Sequence, residues 1–254
     1  MAGLAEPSAA FPAGVAATAH VYVERLDDSI AVSGDDGHHL QRARRVRPGE
    51  VITAGDGYGR WRVYRVVAAA SGVVELSATS ALAHEPALEP RVTVAFSLTK
   101  GEKPELVVQK LTELGVDRIL VVHAARSVVR WDDARVAGAM ERLARVARGA
   151  GAQSRRARVP MLDGPVAPAE LVSHPGLLVA APGGRPAHEV ALPNGGEWMV
   201  AVGPEGGFDP IELDAFGAAP RIGIGPFVLR AETAAIAVAA ALVGRRAWGP
   251  TPER

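Results

Sequence analysis

The chain has no cysteine in its 254 residues. Disulfides, thiolate nucleophiles and cysteine-built zinc sites are therefore excluded, and we expect the protein to act in the cytoplasm, with which this composition is compatible. No apolar run approaches the length needed to cross a bilayer, so no membrane partner is expected. Excess charge is also missing. Lysine plus arginine and aspartate plus glutamate each number 28, which argues against a global attraction to nucleic acid. Residues 1–19 are rich in Ala, Gly and Pro but lack the basic start and long apolar stretch of a secretory signal. We read them as a flexible extension with no structural role. His38 and His39 have no partners at metal-ligand spacing, and no metal is expected.

What is present is a globular composition, 48% hydrophobic, with charge concentrated locally. Between Arg126 and Arg158 nine arginines face three acids, and Arg42, Arg44, Arg45 and Arg47 lie beside the histidine pair. Basic clusters on a neutral chain point to faces that meet phosphates, although a solvated helix face is the alternative. Arg42, Arg44, Arg126, Arg155 and Arg156 are the candidates for phosphate contact. Trp61 and Tyr64 fit core packing better than base stacking.

From His20 to about Leu88, short alternating runs separated by turns such as Gly55-Asp56-Gly57 predict a small β-barrel with one short helix near His38 to Arg45. Residues 83–90, with two prolines, read as a linker. Beyond it, strands at 91–98, 118–122, 177–181, 198–202 and 221–224 alternate with helices at 104–114, 134–148, after Asp209 and at 232–243. That alternation predicts a mostly parallel α/β sheet. Asp209, Pro210 and Glu212 form an N-cap, a first-position proline and a third-position carboxylate.

Two glycine-rich stretches carry most of the chemistry. Gly203-Pro204-Glu205-Gly206-Gly207-Phe208 follows an apolar run, and Ile222 to Thr233 runs into an alanine-rich helix. Each is a strand, a loop with little side-chain bulk, and a helix. Such loops let backbone groups approach a small molecule closely at the C-terminal ends of parallel strands. Neither has the lysine of a phosphate-binding loop, so the ligand is not a nucleoside triphosphate.

These two loops resemble the signature loops of the RsmE methyltransferases of the SPOUT superfamily. The resemblance extends through His38-His39-Leu40 to Arg47-Pro48-Gly49-Glu50, Lys100-Gly101-Glu102, Gln109 to Asp117, Arg126 to Trp131 and Gln153 to Pro160. It implies a PUA-like RNA-binding barrel over residues 20–88 and a SPOUT domain with a trefoil knot over 89–254. It further implies a homodimer, S-adenosylmethionine as cofactor, and methylation of N3 of a uridine in 16S ribosomal RNA. Another RNA nucleotide, or a non-catalytic role in RNA binding or ribosome assembly, is the alternative. The cofactor-binding residues implied are Ala181, Pro182, Gly203, Pro204, Glu205, Gly206, Gly207, Ile224, Gly225, Val228, Leu229, Arg230 and Thr233. The chain departs from the family at Arg148-Gly149-Ala150-Gly151-Ala152, where glycines would weaken a helix end by about 1 kcal/mol each.

A sulfonium methyl is already electrophilic, whereas uridine N3 is a poor nucleophile until it loses its proton. The site should supply a base, or a cation that stabilises charge developing on the ring oxygens. Arg230 suits the second role. Glu232 either acts as the base or orients Arg230.

Overall fold

In the computed structural model, which describes residues 4–7, 9–101, 103–193 and 196–246, the two sequence patterns become two separate sheets. The chain divides into one unit of residues 1–86 with 148–159 and a second of residues 87–147 with 160–254. Among the described residues no helix is long and apolar enough to cross a membrane.

The first unit holds β1 (Ala19–Tyr22), β2 (Ser29–Val32), α1 (Gly34–Arg42), β3 (Val51–Gly55), β4 (Arg60–Ala70), β5 (Val73–Ala78) and β6 (Ala83–His84). The strands pair in the order β1-β3-β4-β5-β2, with β6 on β4. Alternation along β4 and β5 puts every second side chain inward, and both ends of the strand order contribute to one core. Val21 of β1 and Val32 of β2 share it with Leu40, Ile52, Tyr64 and Leu76. A sheet whose two edges meet in one core is the construction of a small barrel. Trp61 and Tyr64 are both fully buried, so neither presents a face to a base. Burial pushes the Tyr64 phenol up to about 12, and its hydroxyl donates to the Asp27 carbonyl.

Three segments differ from expectation. Residues 12–18, read as loose, are tied down: Val15 is buried, and Arg155 donates to the carbonyls of Val15 and Ala17 at 3.0 and 2.6 Å. Residues 83–85, read as linker, pair with β4 and bury Glu85, which accepts the Ala157 N–H. β2 is an addition; its single fully buried residue leaves almost no pattern to detect.

The second unit holds β7 (Arg91–Ser97), α2 (Lys103–Leu114), β8 (Arg118–Val122), α3 (Asp133–Ser154, whose last turns count with the first unit), β9 (Met161–Val166), β10 (Leu177–Pro186), β11 (Glu197–Val202), α4 (Pro210–Ala215), β12 (Arg221–Gly223) and α5 (Ala231–Val243). All strands run parallel, in the order β12-β10-β11-β7-β8-β9. β7 is buried from Val92 to Ser97, as a strand covered on both faces must be. On one face Ala95, Leu120, Val179 and Ala201 pack with Phe208 and Phe216. On the other, α5 packs on β7, β11 and α2. β9 escaped the sequence reading because Gly164 and Pro165 interrupt it, which only an edge strand tolerates.

α3 continues six residues past its expected end at Arg148. Gly151 in this extension has a packing role: a β-carbon there would sit 2.4 Å from the Tyr22 hydroxyl, which donates to the Arg156 carbonyl. Gly149 has open space around it. Gly149→Ala should therefore stabilise the protein by up to about 1 kcal/mol through helix propensity. Gly151→Ala should destabilise it by about 1–2 kcal/mol despite the same gain. Urea unfolding of both variants checks this, and Tyr22→Phe should restore part of the loss in Gly151→Ala.

His20 on β1 is buried, shares a 2.9 Å hydrogen bond with Thr53, and has no partner for Nε2. Burial, then the Arg155 charge, lowers its pKa from 6.5 to about 4. A neutral imidazole is thus favoured in the fold, and its contribution is complete above pH 6.5 and lost as pH falls toward 4. That gap corresponds to roughly 3 kcal/mol. The wild-type protein should lose about that much more stability between pH 7 and 4 than His20→Gln does. Equal losses in the two chains would show that His20 carries no such linkage.

Candidate functional site

β10 lies between β11 and β12, so the two glycine loops leave the sheet from either side of one strand. Pairing between β10 and β12 is interrupted: Ala180 and Arg185 both align with Ile222. Residues 181–184 therefore loop out of the ladder. Gly184 and Gly223 then meet backbone to backbone, since a β-carbon on Gly223 would lie 2.6 Å from the Gly184 carbonyl oxygen. Only glycine fits that crossing.

A cavity of about 350 Å³ opens among these three segments. Of the residues expected to bind a cofactor, Ala181, Pro182, Gly203, Pro204, Glu205, Gly207, Ile224, Gly225, Val228 and Leu229 line it. Gly206, Arg230 and Thr233 do not. Gly206 instead offers its carbonyl to Arg126 at 3.0 Å, and Arg230 is the exposed N-cap of α5. The sequence reading missed Val202, Phe208, Leu213, Phe227, Ala231 and Ala234, which add apolar surface. Among the described residues, Glu205 is the charged residue of the lining, and no lysine or arginine belongs to it. Such a pocket suits an uncharged ring and a cationic group, and it is poorly suited to a polyphosphate.

The first loop is held mainly by backbone partners. Gly207, at φ +67°, donates to the Pro204 carbonyl. Asp209 caps α4 by accepting the Glu212 N–H, and Glu212 Oε2 accepts the Asp209 N–H in return, each at 2.8 Å. This is the capping arrangement expected from the sequence. Glu212 Oε1 also accepts the Ala125 N–H at 2.7 Å, tying the segment after β8 to the loop. That segment is closed on itself by His123, whose Nε2 accepts the Trp131 N–H. Burial and the Arg130 charge lower the pKa of His123 and so favour this acceptor.

Lys103, at the start of α2, was not singled out from the sequence. Its ammonium lies 3.2 Å from Glu232 Oε1 and 3.6 Å from Glu205 Oε1. It thus joins the first loop to the helix that follows the second. Glu232 is 9% exposed, and its Oε2 has no hydrogen-bond partner. Burial opposes its ionisation, but its own backbone N–H, the Lys103 ammonium and the Arg230 guanidinium outweigh burial and hold the carboxyl below its ordinary value. The neighbouring motif residue Glu102 lies outside the described residues.

The arginines are less uniform than their clustering implied. Arg155 directs its guanidinium to the Val15 and Ala17 carbonyls, which makes it a fastener of the N-terminal segment and corrects its assignment to phosphate. Arg142 pairs with Glu105, Arg135 with Asp132, and Arg148 lies 4.8 Å over the Tyr22 ring. Arg158 donates to the Tyr58 and Glu85 carbonyls. Arg42 and Arg44 are exposed, and Arg156 is half-buried.

Residues 86–243 match the RNA methyltransferase domain family, and residues 32–75 match the RNA methyltransferase PUA domain family. The chain is 41% identical over 237 residues to the ribosomal RNA small subunit methyltransferase E of Mycobacterium bovis, covering 88% of this chain and 90% of that one. It belongs to the ribosomal RNA small subunit methyltransferase E family. The Bacillus subtilis protein of that name is 28% identical over 224 residues, covering 81% of this chain and 86% of its own length. The crystal structure of a ribosomal RNA small subunit methyltransferase E from Neisseria gonorrhoeae, bound to S-adenosyl methionine, superposes with a TM-score of 0.77 at 26% identity. That superposition covers 88% of this chain and 96% of the other. The family read from the loop motifs is thus the family found, and its members are methyltransferase enzymes.

Glu212 is the residue whose loss most directly loosens the first loop. Glu212→Ala removes two acceptors of backbone N–H groups and should cost about 2–3 kcal/mol. Glu212→Gln keeps one acceptor oxygen and should lose about half as much. Denaturant midpoints of the two variants check the order.

Proposed function

We propose that this chain transfers a methyl group from S-adenosylmethionine to N3 of a uridine in the RNA of the small ribosomal subunit. The observation that carries this reading is an exposed, permanently charged Arg230 within electrostatic reach of a buried Glu232 held below the ordinary carboxylate range, both beside a non-phosphate pocket. A weak base beside a cation suits an imide N–H, whose conjugate anion spreads charge over two ring oxygens. It does not suit a ribose hydroxyl, which is far less acidic and needs a strong base.

Among the described residues, the pocket fits the cofactor in its apolar lining, its single acidic residue and its lack of phosphate-binding cations. When bound, S-adenosylmethionine supplies a methyl on a positively charged sulfur; the new N3–C bond forms as the C–S bond breaks and leaves a neutral thioether. The residues of the chain do the remaining work. The backbone of residues 181–182, 203–205 and 223–225 gives close approach, and the buried Phe208 closes the floor of the cavity to water. Arg230 directs its planar fork toward the ring oxygens and stabilises the charge that N3 deprotonation places on them. Glu232 accepts from the N3–H and orients Arg230, and the proton passes to solvent.

RNA binding is assigned to the exposed Arg42 and Arg44 of the barrel, with Arg126 and Arg156, and should weaken as salt rises. We also assign a trefoil knot to the catalytic domain and a homodimer to the active form. Supporting the dimer, Phe227 and Val228 of the second loop are 81% and 84% exposed, more than a side chain of that kind gains from in water. We place this work in the cytoplasm, where the RNA of the small ribosomal subunit is found.

Arg230→Ala should lower kcat by about 10²–10³ while leaving the KM for S-adenosylmethionine within a few-fold. Incubation with labelled cofactor and small ribosomal subunits, followed by digestion to nucleosides, should yield 3-methyluridine. A ribose-methylated nucleoside or another methylated base would overturn the choice of N3, and undiminished turnover in Arg230→Ala would overturn the role of that residue.

A further inference from the structure

Three segments distant in sequence converge at one ammonium. Lys103 begins α2, Glu205 belongs to the first loop, and Glu232 stands in the first turn of α5. Glu205 lines the cavity, and so do Ala231 and Ala234 on either side of Glu232. The Lys103 and Glu205 side chains are each about one-third exposed, at 32% and 38%, whereas that of Glu232 is 11% exposed. A surface pair of this kind contributes little to stability. Its placement is what matters. Without Lys103, nothing else among the described residues ties the first loop to α5 by an ion pair.

The buried carboxylate is also only half used. Lys103 meets Oε1, and Oε2 is buried without a partner. A buried, ionised oxygen with no donor costs free energy in the protein alone, and a donor supplied by a bound substrate removes that cost. We propose that Lys103 is the positioning residue of this site: by bridging Glu205 and Glu232 it fixes the Glu232 carboxylate so that Oε2 accepts a hydrogen bond from the imide N3–H of the target base. The inference rests on the function proposed above and names the residue that prepares its acceptor.

Among the described residues, the charged groups acting on Glu232 come from three places. Lys103 faces it from α2, Arg230 from the preceding loop, and Glu205 reaches it through Lys103. β7 and β11 also pack on α5, but their charged residues, Arg91 and Glu197, are register partners at the opposite ends of those strands. Lys103 is therefore the cation outside the second loop that favours the ionised form of Glu232. Removing it should let the carboxyl titrate at higher pH.

The test uses the full chain with Lys103→Met and Lys103→Arg. In the cofactor-free protein, the Glu232 carboxyl carbon is followed by NMR as a function of pH, with Glu232→Gln to identify its signal. In the methylation assay, total label entering small-subunit RNA is measured across pH. Lys103→Met should raise the Glu232 titration and move the acidic limb of kcat to higher pH. It should also lower kcat by about 10²-fold with the KM for S-adenosylmethionine within about threefold. Lys103→Arg should restore most of both. The proposal is overturned if kcat is unchanged, or if kcat falls with the titration and the pH limb unmoved. Should Lys103→Met not fold, Lys103→Gln and Lys103→Arg give the same comparison. Total label is independent of which nucleoside carries the methyl, so an error in the choice of N3 shows in the digest and leaves the Lys103 result readable.

Discussion

The position of β10 between β11 and β12 is the constraint on which the site depends. Parallel pairing on both flanks brings Val202 and Gly223, the last residues of the neighbouring strands, to the same end of the sheet. Both glycine loops must then start within one strand spacing of Ala180. The excursion at residues 181–184 keeps β10 itself out of the space between them, and the Gly184–Gly223 contact sets how closely the second loop approaches. A ligand site at the carboxyl ends of parallel strands follows from this order of strands. Its size and apolar character follow from the small residues in the loops.

Rigidity comes from polar contacts to backbone more than from ion pairs. Glu212 holds both the α4 cap and Ala125, and Arg126 holds Gly206. In the first unit Arg155 and Arg158 hold carbonyls in the same way. These contacts satisfy loop and terminal backbone groups, which is why arginines that cluster in sequence end up with different tasks. The charges left over for chemistry are few, and Lys103, Arg230 and Glu232 stand together among them.

Much of the architecture was legible from periodicity alone. The buried runs of β7, β8 and β11 can be read directly as strands of a covered sheet, and Asp209 with Glu212 announces the start of α4. Glycine punctuation also marks both loops. The strands β2 and β9 were not legible, because one has a single buried residue and the other contains Gly164 and Pro165. At the site, loop residues could be named because glycine and apolar residues there have few other uses. Lys103 could not, since its partners lie about a hundred or more positions away, at 205 and 232. Arg155 was misread for a related reason: a guanidinium pattern does not say whether phosphates or carbonyls will meet it. Gly151 was read as a weakness in α3, whereas it is where the helix accommodates Tyr22.

The cavity between the two loops is the centre of the proposed chemistry, and a crystal structure of this protein with S-adenosylmethionine tests its role most directly. Ligand density should be enclosed by residues 180–182, 203–208 and 222–229, with Lys103 bridging Glu205 and Glu232 beside it. Density elsewhere on the chain, or an empty cavity at saturating cofactor, would contradict it.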